Sequence, residues 1–63
     1  MIDASIFLGM GKREAQNKAE QLNLIFRLIR VDDRAMASVP TDTREDRVCV
    51  EMDNLKITKA VIQ

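Results

Sequence analysis

The stretch DDRAMASVPTDTRED, residues 32–46, carries neither a helical nor a strand period, yet the segments on both sides of it do. On its N-terminal side LNLIFRLIRV, residues 22–31, is a dense run of leucine, isoleucine, valine and phenylalanine that reads as a strand. Leu24, Phe26 and Leu28 share one face of that strand, and Ile25, Ile29 and Val31 the other. On its C-terminal side RVCVEMD, residues 47–53, alternates strictly, with Val48, Val50 and Met52 turned to a dry face and Arg47, Cys49 and Glu51 to a wet one. Antiparallel neighbours are joined by a handful of residues, whereas parallel neighbours need a crossover of about a dozen or more. Fifteen residues between the two strands therefore predict a parallel pair with a long exposed loop between them. A connection of that length is uncommon in a compact domain unless it is functional or disordered.

Outward from this centre, KREAQNKAEQL, residues 12–22, holds strong helix formers and no β-branched residue, bounded by Gly9 and Gly11 before it and Asn23 after it. It predicts the one helix, with Gly11 as N-cap and with Ala15, Ala19 and Leu22 as a narrow stripe facing a sheet. After the second strand, Asp53 and Asn54 supply turn chemistry and KITKAVIQ, residues 56–63, a last strand, which makes an antiparallel hairpin. The expected fold is α+β, one helix packed on a small mixed three-stranded sheet, with strands one and two parallel, in a single domain over residues 1–63.

A chain of 63 residues buries only about 60% of its unfolded surface, so the core must be thin. Phe7 and Phe26 are its only aromatic residues. Ten Lys and Arg balance ten Asp and Glu, which removes the basic excess on which binding to nucleic acid or an anionic membrane depends. No segment approaches the roughly 20 apolar residues of a membrane span. The single cysteine excludes an internal disulfide, and a cytoplasmic location is the expectation.

No histidine is present, so triads built on that base are excluded. Cys49 has no partner base and is expected to be a half-exposed structural residue. Asp32 and Asp33 fit a turn better than a cation site, and the glycines of GMG, residues 9–11, are too few for a phosphate loop. The expectation is no enzyme, no metal and no cofactor.

The run VPTDTREDRVCVEMD, residues 39–53, resembles the potato inhibitor I family, including its short bacterial members, where a protease-binding loop with an acid is followed by Arg, Asp-Arg and an alternating strand ending in Asp. FLGMGKREAQNKA, residues 7–19, is similar to that family's entry into its helix, and LIFRLIRV, residues 24–31, falls where its first strand stands. The resemblance implies a serine-protease inhibitor that presents an extended, substrate-like loop over about residues 38–45. Val39, Pro40 and Thr41 would precede the scissile bond, with Thr41 as the specificity residue, and Asp42 and Thr43 would follow it. Arg47 would hold Asp42 by a charge-assisted hydrogen bond, with Arg44 as further loop support.

Where the family commonly has a threonine and a second strand arginine, this chain has Pro40 and Cys49. Thr41 is small and β-branched, which suits a protease with a small, elastase-like pocket. Two other readings compete. One is a non-inhibitory intracellular interaction protein that uses the same fold and loop to bind a partner protein. The other is a small RNA-binding module built on Arg27, Arg30, Arg34, Arg44 and Arg47. A monomer or a weak homo-oligomer is expected.

Overall fold

The lysine- and glutamate-rich segment forms α1, Lys12–Gln21, and backbone geometry rather than capping side chains makes both of its ends. The structure, a computed structural model, describes residues 2–63. Gly11 is the N-cap in an extended conformation, with no side-chain hydrogen bond. At the other end Asn23 adopts a left-handed conformation at φ 58°. The Asn23 N–H then donates to the Glu20 carbonyl at 3.1 Å and the Leu24 N–H to the Ala19 carbonyl at 2.8 Å. This pair of bonds is a Schellman cap, which satisfies carbonyls of the last turn and reverses the chain. Leu24 enters the core at once.

Four strands follow: β1 (Ile25–Val31), β2 (Arg34–Ala35), β3 (Arg47–Asp53) and β4 (Lys56–Ile62), in the spatial order β2-β1-β3-β4. The α+β class stands, with β1 and β3 parallel and β3 and β4 antiparallel. The expectation of three strands is corrected to four. Asp32, left-handed at φ 54°, folds the chain back so that Val31 pairs with Arg34 and Arg30 with Ala35. The two aspartates thus do serve a turn, and the strand they create is too short to show any period.

A second correction concerns β1. Leu28 lies opposite Val50, but the next partner of β3, Glu51, faces Arg30, so Ile29 is an extra residue in the ladder. Such a bulge moves every later side chain to the other face. Val31 therefore packs with Phe26 and Leu28 against the core, not with Ile25 and Ile29. A matching slip in β4, where Glu51 pairs with Lys59 and Met52 with Ile57, leaves Thr58 as the extra residue and puts Ile57 in the core.

α1 covers one face of the sheet through Ala15 and Ala19, whose small side chains let the helix approach Val48 and Val50. Phe7 completes this core from a 3-10 helix, Ala4–Phe7, whose start is capped by Asp3 Oδ1 accepting from the Ser5 N–H at 2.9 Å. Beyond it the Gly9 N–H donates to the Ile57 carbonyl at 2.8 Å and the Ile57 N–H to the Met10 carbonyl at 2.9 Å, which covers part of the outer edge of β4.

Candidate functional site

The crossover from β2 to β3 runs over the sheet face that the helix leaves free. Its first residues are held by the bulge, because the Ile29 carbonyl accepts from the N–H groups of Met36 at 2.7 Å and Ala37 at 3.2 Å. Arg27, on the face away from the helix, donates from Nε to the Ser38 carbonyl at 3.0 Å. Val39 then lines a small cavity of about 140 Å³ with Ile29, Cys49 and Val61. Cys49 is only 3% exposed. The expected half-exposed cysteine on a wet strand face is therefore corrected: Cys49 lies between its strand partners Arg27 and Val61, at a cavity that Val39 edges.

Val39 is nonetheless 59% exposed, Pro40 is half-buried, and Thr41, Asp42 and Thr43 are exposed. Here Arg47 meets the loop from below. Its Nη2 donates to Asp42 Oδ1 at 3.1 Å, to the Asp42 carbonyl at 3.2 Å and to the Gln63 carbonyl at 2.6 Å. The hydrogen bond from Arg47 is the main reason why the Asp42 carboxyl lies below the ordinary carboxylate range. Arg47 is a buried residue rather than one on a wet face, while its Asp42 partner is exposed. A buried cation that reaches a loop carbonyl and a loop carboxylate fixes the position of both. Its Nε is buried and has no hydrogen-bond partner.

Arg44 has a different partner from the loop acid. It grips Asp46 with two bonds, at 2.7 and 2.8 Å, which lowers the Asp46 carboxyl and raises the Arg44 guanidinium. Its backbone N–H donates to the Gln63 carbonyl at 3.1 Å. Gln63 thus joins Arg44 and Arg47, and the C-terminal end of β4 underlies the exit of the loop.

Sequence reasoning missed a second charged cluster at the far end of the same strands. Arg30 donates from Nε to Glu51 at 2.7 Å and makes two bonds of 2.9 Å to Asp53, and it also reaches the Asp32 carbonyl. Thr58, the extra residue of β4, donates to Asp53 at 2.6 Å. Arg30 first and Thr58 second hold the Asp53 carboxyl down at about 2. Glu51 is lowered by Arg30 and Lys59. Asp32 Oδ1 accepts from the Asn54 N–H at 3.0 Å, which ties the β1–β2 turn to the β3–β4 turn. No single-strand pattern reveals this cluster, because the bulges that assemble it exist only relative to β3.

Among the described residues no group of three or more His, Cys, Asp and Glu side chains is placed to hold a metal ion, and no helix is long and apolar enough to cross a membrane. No protein-family model, curated protein or solved structure matches the chain, so its resemblance to the potato inhibitor I family stands on the motifs quoted above.

Proposed function

We propose that the chain inhibits a serine protease with a small specificity pocket, presenting residues 39–43 as a substrate-like segment with Thr41 before the scissile bond. The observation that carries this reading is the Arg47 brace, a buried guanidinium bonded to both the carboxylate and the carbonyl of Asp42. A loop held in advance loses less conformational freedom on binding, and the surplus appears as affinity. Held ends also keep the two halves of a cut loop together, which favours religation over release. The arginines argue against the RNA reading: Arg30 and Arg44 are spent on carboxylates and Arg27 and Arg47 on the loop and its acid, leaving Arg34 alone of the five without a side-chain bond among the described residues.

A second reading, a partner-binding protein that does not inhibit, is favoured by one specific observation. The position of a second strand cation is taken by buried Cys49, so a single arginine braces the loop acid. Progress curves of elastase-like and subtilisin-like proteases with the wild-type chain and with Arg47→Ala separate the two readings. Inhibition by the wild type and cleavage after Thr41 in the variant are expected. A wild type that slows no protease in the panel at micromolar concentration removes the inhibitor reading and leaves the partner-binding one.

A further inference from the structure

Leu55 occupies a position that a leucine has no local reason to hold. Asp53 pairs with Lys56, so Asn54 and Leu55 form a two-residue hairpin loop, with φ at 52° and 69°. That geometry favours asparagine first and glycine second, because a side chain at the second position meets its own backbone. Leu55 accepts this strain and remains 79% exposed, so its side chain contributes little burial to the isolated domain. It stands at the margin of a shallow groove on the helix side of the sheet, beyond the cover of α1 and lined by Leu28, Val31, Met36 and Met52. Met36 is itself 53% exposed. The rim carries Lys12 and Arg34 together with Asp32 and Asp33, and none of the four is in an ion pair among the described residues.

We propose that this groove is the interface of a two-fold homodimer, in which Leu55 of each copy enters the groove of the other and Asp33 meets Arg34 across the axis. An isologous contact needs a patch that is complementary to itself. Here a protruding leucine lies beside an apolar hollow, and two cations lie beside two acids, none of them in an ion pair. A partner of one charge would leave part of that rim unmatched. Methionines lining the hollow adapt their shape to an entering side chain. Association also extends a core that a chain of 63 residues without a disulfide keeps thin. The braced loop lies on the opposite sheet face, so the dimer displays two loops. The proposal does not depend on what those loops bind.

Sedimentation equilibrium of the whole chain from micromolar to millimolar concentration tests it. A reversible monomer–dimer equilibrium is expected. Leu55→Gly should weaken the dimer by about tenfold or more, while the dilute variant melts no lower than the wild type because glycine suits the turn. Asp33→Arg should also weaken it, and adding Arg34→Glu should restore it. A chain that is monomeric at millimolar concentration overturns the proposal, as does a dimer that Leu55→Gly leaves unchanged.

Discussion

Val50 offers the most direct test of how the sheet is layered. It is fully buried in the middle of β3, between the pairings with Leu28 and Ala60, on the face that meets Ala15 and Ala19 of the helix. Val50→Ala removes two methyl groups, which costs about 1.6 kcal/mol at about 0.8 kcal/mol per buried carbon. A remaining void on the order of 50 Å³ adds about 1.2 kcal/mol, because a helix already in contact through alanines cannot settle further. The total, about 3 kcal/mol, is most of what a domain of this length has, which rarely exceeds about 3–5 kcal/mol. Thermal unfolding followed by circular dichroism should therefore show a fall of roughly 12–24 °C. Val61, 37% exposed and paired with Cys49 on the other face, is the control, and its alanine variant should cost less than about 1 kcal/mol. If Val61→Ala destabilised the chain as much as Val50→Ala, the assignment of the two faces would be refuted.

Cys49, at 3% exposure, should react with an aromatic disulfide at least about thirtyfold more slowly than in the urea-unfolded chain; Arg47→Ala should raise that rate by loosening the loop beside it, and equal rates in the native and unfolded wild type would show that the fold does not bury it. The lowered carboxyls of Asp42, Asp46, Glu51 and Asp53 give a stability contribution that is complete above their unfolded values near 4 and is lost as pH falls through the folded ones, about 2 for Asp53. Acid titration should accordingly show the loss of stability between about pH 4 and pH 2, and Arg30→Met should flatten it; an unchanged acid limb would mean that the Arg30 cluster does not set it.

Much of this fold is legible in residue order because its strongest signals are local. Glycine before and asparagine after the helix mark its ends, and Asn23 does so through a backbone conformation that asparagine tolerates better than most residues. The length of residues 32–46 gives the parallel pairing from chain geometry alone. Features that depend on partners are not legible. The bulge at Ile29 exists only relative to β3, so the alternation of β1 taken by itself sends Val31 to the wrong face. β2 is two residues long, and only its pairing with Arg30 and Val31 makes it a strand. The brace from Arg47 to Asp42 follows from the motif resemblance, whereas the bonds of Arg47 to Gln63 and of Arg44 to Asp46 join groups whose meeting no spacing specifies.

The burial of Cys49 connects these points, because it follows from the parallel pairing itself. A chain that leaves the end of β1 must return to the start of β3, and the helix already occupies one face of the sheet. The crossover takes the other face, and Arg47 through Val50 become buried on both sides although their sequence alternates as if one side were wet. The loop lies along that face with most of its residues exposed, Val39 at 59% among them. Arg27 pins its beginning through Ser38, and Arg47 pins its middle through Asp42. Lifting it would expose the Cys49 thiol and surface on Ile29 and Val61 while leaving a buried guanidinium without its acceptors on the loop, a penalty larger than that of an exposed ion pair. Two arginines thus tie residues 38 and 42 to the sheet, whether the exposed tip at Thr41 meets a protease or another partner.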